Sequence, residues 1–347
     1  TKIASIVGPS DIDSDENHIY SELGFYYTQQ GQAELLERSV LTNNGKRMTG
    51  DSLFYDRNRG IGEAFQNVEF VDTISKNMLT GDYCFYNQLT GYAFATDKAV
   101  ATDFSQGDSL FIHADTLQLY TFHVNTDSVY REARAYHKVR FYRTDIQGVC
   151  DSLVFSSKDS CLTLYQDPIL WNGKQQLLGE EIMVYMNDST IDWAHIQNQA
   201  LSVEQLDSLN YNQVSGKDMK AYFEGGEMKQ VDVDGSVRLV YFPMEKDSTL
   251  LGMNCSETSK LSMFLENRKL KKMAMSPKSN GTLYPMTQIP PAKMKLDNFA
   301  WFDYVRPLNK ADIFNWRGKG AGQELKKSTR GAAPLPNQKL FENTKKE

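Results

Sequence analysis

Hydrophobic and polar positions repeat along the first third of the chain with a spacing on the order of 30 residues. The three windows that align without gaps are 22–43, 51–72 and 82–103. One column of this alignment holds Tyr26, Tyr55 and Tyr86, and a second holds Gly31, Gly60 and Gly91. Apolar side chains alternate with polar ones on both sides of the glycine. This period of two predicts a β-hairpin in each window, with the glycine supplying a left-handed turn residue.

Weaker copies of the pattern continue almost to residue 290. They open at Ala114, Cys150, Gly179, Gly216 and Lys260, which gives about eight copies in all. A single hairpin cannot bury its apolar face, whereas stacked copies bury a continuous interior. We therefore predict an all-β fold: an elongated, β-solenoid-like stack of hairpins with about eight rungs.

Alternation also assigns the side chains that face the interior of this stack. The predicted groove residues are Leu53, Tyr55, Ala64, Val68, Phe70, Cys84, Tyr86, Ala95, Ala99, Ala101, Leu117, Leu119, Val139, Phe141, Leu153 and Phe155. The third copy is unusually small at these positions, with Ala93 added to the three alanines. Two interpretations stay open: a groove that holds an apolar chain, or filling of the space by large residues of the facing strand.

Composition changes along the chain and suggests its organisation. We expect an acidic N-terminal arm over 1–18, the repeats over 19–290, an aromatic segment over 291–317 and a flexible tail over 318–347. The repeats could form two modules, 19–148 and 149–290. The aromatic segment is expected to pack on the stack, for example as a cap over its last rung. The clearest helical pattern is Ala200–Leu209, with an insert in a longer loop as the alternative.

Overall composition limits the classes of function. The 347 residues are 40% hydrophobic and 24% charged, as in a folded domain. A net charge of −6 disfavours nucleic acid as the partner, because phosphate neutralisation needs a basic face. No apolar run approaches the roughly 20 residues of a membrane helix, so no transmembrane span is expected. The chain begins at Thr1 without an apolar leader, as would an exported protein whose signal had been removed, or a trimmed chain.

Candidate chemistry is sparse, and we predict no catalytic residue, no metal and no cofactor. The cysteines, Cys84, Cys150, Cys161 and Cys255, form no C-x-x-C pair, and whether they pair with one another stays open. The histidines, His18, His113, His123, His137 and His195, lack metal-ligand spacing. The sequence contains neither a G-x-S-x-G motif nor a phosphate loop.

Acidic side chains recur at the openings of the copies, at Asp51, Asp82, Asp115 and Asp151. Paired carboxylates could hydrolyse a glycoside, but Asp at such a position more often caps a turn, and we favour the cap. Another acidic set, Asp11, Asp13, Asp15 and Glu22, fits the outer positions of a calcium loop. Glu16 stands where that loop needs glycine, so a solvated acidic arm is favoured.

Two further motifs have structural interpretations. Asp232-Val233-Asp234-Gly235 predicts a hairpin turn rather than a metal site. A basic cluster is formed by Arg268, Lys269, Lys271 and Lys272. It could contact lipid phosphates, but a solvated strand edge is favoured, where Lys also opposes aggregation.

Three segments together resemble the OstA/LptA-like family, the organic-solvent-tolerance and lipopolysaccharide-transport proteins. They are Gly50–Tyr55 closing with Asn67–Phe70, Asp167–Trp171 running into Gln176–Ile182, and Val231–Gly235. With Thr282–Pro285 and Arg306–Leu308, they are similar to the long OstA-like proteins of Bacteroidetes-type bacteria. The resemblance covers roughly residues 20–316.

This resemblance implies a β-jellyroll, or β-taco, fold in the periplasm, possessing a groove for lipid A acyl chains. It implies a non-enzymatic lipopolysaccharide carrier or bridge of outer-membrane biogenesis that pairs edge to edge with other β-taco domains. Outer-membrane association is compatible with it. Two alternatives stay open: a protein-interaction scaffold with a packed interior, and a β-helical enzyme that acts on a polysaccharide.

Overall fold

The computed structural model describes residues 2–325, except 14–16, 44, 106, 125, 188–189, 226, 246, 248 and 268. Within these residues the chain forms 23 β-strands and four short 3-10 turns, and it contains no α-helix. The all-β prediction is therefore confirmed. Arg268, Asp15, Glu16 and most of the predicted tail, 326–347, lie outside the described residues.

Six long strands and four short ones form the first half. They are β1 (Ile3–Asp13), β2 (Asn17–Tyr27), β3 (Gln32–Asn43), β4 (Lys46–Asp56), β5 (Ile61–Asp72), β6 (Asn77–Asn87), β7 (Tyr92–Thr96), β8 (Val100–Asp103), β9 (Leu110–His113) and β10 (Thr116–Phe122). Those that follow are β11 (Tyr130–Tyr142), β12 (Ile146–Ser156), β13 (Cys161–Tyr165), β14 (Ile169–Asn172), β15 (Gln175–Leu178), β16 (Glu181–Asn187) and β17 (Thr190–Gln197). The last are β18 (Ala200–Gln205), β19 (Tyr211–Gly216), β20 (Asp218–Glu224), β21 (Glu227–Tyr241), β22 (Met253–Glu266) and β23 (Lys269–Tyr284).

All of the strands pair antiparallel and stack into two facing half-sheets. Half-sheet A contains the short strands β7, β10, β13, β16, β17 and β20, and half-sheet B contains β8, β9, β14, β15, β18 and β19. The long strands cross from one half-sheet to the other, so that β6 pairs with β7 in A and with β8 in B. Each predicted hairpin thus contributes two bent strands to the stack.

The bend lies at a bulge in which two residues of one strand oppose one residue of the next. Glu37 and Arg38 oppose Asp51 in this way, and both have positive φ, 61° and 52°. The same arrangement places the pair Gln66–Asn67 opposite Asp82. Such bulges bend a strand and increase its twist, which turns the chain from one half-sheet into the other. The acidic column of the repeat therefore marks the outer corner of the stack.

The tyrosine column is also confirmed. Tyr26 pairs with Ala33, Ala33 with Tyr55, Tyr55 with Gly62 and Gly62 with Tyr86, so the three tyrosines stack in register. The hairpin turns end at Gly31, Gly60 and Gly91, with φ of 66°, 62° and 65°. Glycine adopts this left-handed conformation without the steric cost that a side chain would add, which explains the second column.

Apolar side chains from both half-sheets meet in one large core cluster, which contains residues from Leu35 to Leu261. It includes side chains of both predicted modules, and the division into two modules stays a prediction. A different cluster lies on the outer face of half-sheet B. There Ile169, Trp171, Leu201 and Val203 pack against Phe302 and other side chains of the C-terminal segment.

That segment, residues 285–317, forms a C-terminal strap with 3-10 turns at Met286–Gln288, Pro291–Lys293, Asp303–Val305 and Asp312–Phe314. It runs from the end of β23 back across half-sheet B as far as β9, where the rings of Phe314 and His113 lie 4.7 Å apart. The segment therefore packs along half-sheet B, and the prediction that it covers the last rung is wrong. Ile169–Trp171 is buried on both faces, and only an outer layer can achieve this burial.

Three glutamines hold the strap. Gln213 Nε2 donates to Met294 O at 2.7 Å and its Oε1 accepts from Leu296 N at 2.8 Å. In the same way, Gln176 Nε2 donates to Ala300 O at 2.9 Å and its Oε1 accepts from Phe302 N at 2.8 Å. Gln147 Oε1 accepts from Arg306 Nε at 2.8 Å. Each amide bonds the strap backbone or its arginine, so buried polar groups on both sides are satisfied.

Other sequence predictions differ from the structure. Residues 3–13, expected in an acidic arm, form edge strand β1, which pairs with β2. Ala200–Gln205 is strand β18 rather than a helix, because its backbone pairs on both edges, with β15 and with β19. The expected hairpin turn at Asp232–Gly235 is absent, because Asp232–Asp234 pair regularly inside β21 and a bulge follows at Gly235–Ser236. Lys319, placed in the flexible tail, forms a 2.5 Å ion pair with Asp167.

The remaining charged motifs lie at the two edges of the stack. His18 bonds Asp13 at 2.7 Å and also approaches Asp11 at 3.3 Å, so these carboxylates support the β1–β2 hairpin. At the other edge, Lys271 of β23 pairs with Glu266 at 2.8 Å. This placement agrees with the solvated-edge interpretation of the basic cluster.

Candidate functional site

The candidate site is the space between the two half-sheets. All of the predicted groove residues fall into four ladder columns that face this space. The deep column of half-sheet A contains Leu53, Ala64, Cys84, Ala95, Leu117 and Leu153. The column nearer its rim contains Tyr55, Tyr86, Leu119 and Phe155. The bend contributes Val68, Ala99 and Val139, and half-sheet B contributes Phe70, Ala101 and Phe141.

Burial along the rim column changes between the first and second halves of the stack. In the first half, Tyr26, Tyr55 and Tyr86 are 38%, 43% and 43% exposed. In the second half, the same ladder continues through Val184, Ala194, Ala221 and Val231, whose exposures are 8%, 7%, 3% and 5%. The rim side chains are therefore more accessible in the first half than in β16–β21.

The facing column of half-sheet B shows the same change. Met48, Phe70, Leu79 and Ala101 are neighbours in register and are only partly buried. Further along, Phe141 is buried, as are Leu170 and Val214. Both walls of the groove thus leave apolar surface accessible from β2 to about β9 and close over it later in the chain.

Glycines within the inward columns show where neighbouring atoms fill the interior and where they leave space. A Cβ at Gly62 would meet only Phe54 O, 4.0 Å away, so the space beside it is vacant. A Cβ at Gly148 would lie 2.1 Å from the ring of Phe141, and one at Gly216 would lie 2.5 Å from Val233 Cγ1. Neighbouring atoms therefore fill the space beside Gly148 and Gly216, and also beside Gly24 in the first half, whereas the gap at Gly62 stays open.

From the sequence, the alanines of the third copy are interpreted either as lining a groove or as leaving space that large neighbours fill. The structure supports each interpretation for two of the four alanines. Ala95 and Ala99 are fully buried in the core cluster, as expected if neighbouring side chains fill the space. Ala93 and Ala101 lie closer to the rims and are partly exposed. The deep part of the interior is packed, and only its outer part forms a groove.

Charges surround the groove but do not enter its inward columns. The carboxylates of the acidic column lie on the outer corner and pair with cations of the bulges. The Asp82 carboxylate is 2.9 Å from Lys98 Nζ, and this hydrogen bond holds the pKa of Asp82 below its usual value. Arg38 and Asp51 are 3.3 Å apart, and His137 and Asp151 are 3.5 Å apart. These pairings agree with a structural role at the corner.

The cysteines are free thiols. Burial raises the pKa of the Cys84 thiol to about 12 and also raises the pKa of the Cys150 thiol. Thiols of this kind are protonated and unreactive at neutral pH. The described residues contain no cluster of three or more His, Cys, Asp or Glu side chains that could hold a metal ion. Across the described chain, no helix is long and apolar enough to cross a bilayer.

Sequence reasoning missed two residues of the rim column, Ala33 and Gly62, which separate the tyrosines. The signal was present, because each lies two residues before an inward residue of its strand, Leu35 or Ala64, and period two gives them the same face. It also missed Gln147, Gln176 and Gln213. Isolated glutamines carry no pattern that indicates a partner more than 80 residues away.

Bent antiparallel strands stacked around an apolar interior define this chain as an all-β protein of the stacked, groove-forming class. Within that class, residues 12–103 match the family model described as OstA-like protein, so this region of the chain is OstA-like. The match is shorter than the range expected from the motifs and coincides with the open half of the groove. A search of the curated proteins finds no match.

Proposed function

We propose that this chain binds the acyl chains of lipopolysaccharide in the open half of the groove and carries or bridges it in outer-membrane biogenesis, without catalysis. The family is lipopolysaccharide- or lipid-transport-related and periplasmic, which supports the proposal. The observation that carries it is the half-exposed, uncharged lining of β2–β7. Burying apolar chain surface there is favourable by roughly 25 cal/mol per Å².

The headgroup of such a lipid would lie outside the groove. Its mouth on half-sheet B is polar, with Lys46 Nζ 4.0 Å from the Asp72 carboxylate. Affinity would therefore come from acyl-chain burial, and the rim would contribute polar contacts to sugar or phosphate groups. Tyr55 and Tyr86 are the most exposed of the predicted groove residues, and Phe70, Ala101, Leu119 and Phe155 are partly exposed.

Site-specific photo-cross-linking in cells tests this proposal. A benzophenone side chain at position 86 faces the groove, whereas the same side chain at position 85 faces outward from the adjacent residue. We expect lipopolysaccharide adducts at position 86 and few or none at position 85. Absence of adducts at positions 55, 86 and 119, in a protein that is folded and exported, would contradict the proposal.

Edge pairing with other OstA-like domains forms part of the proposed role. β1 pairs only with β2, and β23 pairs only with β22, so each has one backbone edge without a described partner. Unpaired strand N–H and C=O groups favour the addition of another strand. Light scattering should detect association that increases with concentration. A strict monomer that also fails to bind other OstA-like domains would contradict this part.

The second candidate is a scaffold that binds only proteins, and the buried interior of the second half favours it. In that case neither half would bind lipid, and native mass spectrometry of the purified chain would detect no co-purified acylated molecule. The polysaccharide-enzyme alternative gains no support, because the carboxylates it requires pair with cations at the corner.

A further inference from the structure

We propose that Tyr26, Tyr55 and Tyr86 divide the groove mouth into slots, each of which admits one linear acyl chain. This inference rests on the proposed function and adds the shape of ligand that the site selects. The tyrosines lie on the inward face of half-sheet A, and the residues between them in the ladder are Ala33 and Gly62. A large ring therefore alternates with a small residue along the open rim.

The spacing of the tyrosines sets the width of each slot. Neighbouring tyrosines are two strands apart, which is about 9.5 Å at roughly 4.8 Å per strand. Allowing about 3.5 Å for a ring in contact with its surroundings, a gap of about 6 Å remains. One polymethylene chain of about 4–5 Å fits this gap, and the four-ring skeleton of a sterol is wider.

Two independent observations indicate that the gaps are open. Each of the three rings is more than one third exposed, although all three lie on an apolar inward face. A methyl group added at Gly62 would find only Phe54 O within 4.0 Å, whereas the Phe141 ring already occupies the space beside Gly148 in half-sheet B. The tyrosines are thus separated by unfilled space and not by packed side chains.

Leucine substitutions in the slots test this arrangement, because they fill the gap without disturbing the core. The purified full-length chain is titrated with a spin-labelled single-chain fatty acid and, separately, with lipopolysaccharide. Gly62→Leu and Ala33→Leu should each lower affinity for the fatty acid about tenfold or more, which the loss of two methylene contacts suffices to produce. Ala274→Leu, on the exposed outward face of β23, is the matched control and should bind like the parent.

A variant that widens a slot gives a readout that general destabilisation would not produce. Tyr55→Ala joins two slots and should allow binding of a fluorescent sterol, which the parent chain excludes. Parent-like fatty-acid binding by both Gly62→Leu and Ala33→Leu, at unchanged melting temperature, would overturn the slots. Sterol binding by the parent chain would do the same.

The two ligands separate this inference from the proposed function. Fatty-acid binding that Gly62→Leu abolishes, with no binding of lipopolysaccharide, would support the slots and contradict the lipopolysaccharide role. If all slot variants bind lipopolysaccharide as the parent chain does, the proposed function would be supported and the slots would be contradicted. Failure of the parent chain to bind either ligand would overturn both.

Discussion

The two halves of the stack share one set of ladder columns but use them differently. From β2 to β9, the inward-facing residues nearest the groove mouth are partly exposed. From β16 to β21, the residues at the corresponding positions are buried. Larger residues do not explain the difference, since Tyr55 is exposed and Ala221 is buried. The closed half has Ile191, Phe223 and Met228 packed against its core near the hairpin ends. The open half has polar turns there, such as Arg57–Arg59.

A second difference is the strap, which covers half-sheet B from β9 onwards. The strap contacts β11, β12, β15 and β19 through Arg140, Gln147, Gln176 and Gln213. A sheet covered on both faces buries more apolar surface and is harder to open. The comparison indicates that one half provides a stable support, which leaves the other free to expose apolar surface for a ligand.

The largest expected difference between the halves concerns aromatic truncation. Trp171→Ala should lower the free energy of unfolding by about 3–5 kcal/mol, because Trp171 is fully buried between half-sheet B and the strap. Tyr55→Ala, at the open rim, should cost less than about 1 kcal/mol. Urea denaturation of both variants measures this. Equal losses would remove the distinction between a support and an open groove.

Removing one glutamine that holds the strap should have the next largest effect. Gln176→Leu leaves Ala300 O and Phe302 N without their partner, and two buried unsatisfied groups cost about 2–4 kcal/mol together. Protease sensitivity within residues 285–317 should rise as well. Gln88→Leu, in an exposed turn of the first half, is the control and should change neither measurement.

Adding one methyl group to a glycine should distinguish the filled and open gaps. Gly148→Ala forces the Phe141 ring to move and should cost about 1–3 kcal/mol by overpacking. Gly62→Ala enters vacant space and should change stability by less than about 0.5 kcal/mol. Comparison of the two melting curves gives the result. A large loss at Gly62 would mean that the slot is already filled.

The smallest expected effect is a pH dependence beneath the strap. Burial lowers the pKa of His113 below 6.5, with Arg140 also lowering it, although the Ala99 carbonyl accepts its Nδ1–H at 2.7 Å and Asp115 opposes the shift. The unfolded chain therefore binds the proton more readily. Stability from this residue is complete above about pH 6.5 and is lost as the pH falls towards the folded pKa.

Unfolding measured between pH 7.5 and pH 5 checks this expectation. His113→Gln should reduce the slope of stability against pH, and His123→Asn, in an exposed turn, should leave it unchanged. The second half of the stack contains a partly buried histidine, His195, whose pKa is also lowered by desolvation. An unchanged slope in His113→Gln would assign the dependence to other groups.

Local patterns predicted the strands, the turns and the faces. Period two placed Leu53 and Tyr55 on one side, and glycine at Gly60 identified a left-handed turn, because both depend only on the covalent geometry of neighbouring residues. The same reasoning failed at Ala200–Gln205, where a helical pattern lies between two strands that pair with it. Tertiary pairing overrides local propensity at such a position.

The strap shows a different limit. Its aromatic composition indicated that it packs somewhere on the stack, yet its path across half-sheet B depends on contacts such as Gln213 with Met294, which are 81 residues apart. An apolar run such as Ile169–Trp171 signals burial on both faces, but it does not identify the covering segment. Long-range hydrogen bonds leave no periodic trace in the chain.

The amino-acid sequence alone determined the repeat, the antiparallel hairpins and the inward columns, because alternation and turn chemistry act over a few residues. Only the tertiary structure decided that the groove is open in one half and closed in the other. Accessibility depends on which side chains from distant strands fill the space, as Phe141 does at Gly148 and none does at Gly62. That packing is a property of the assembled stack and not of any one repeat.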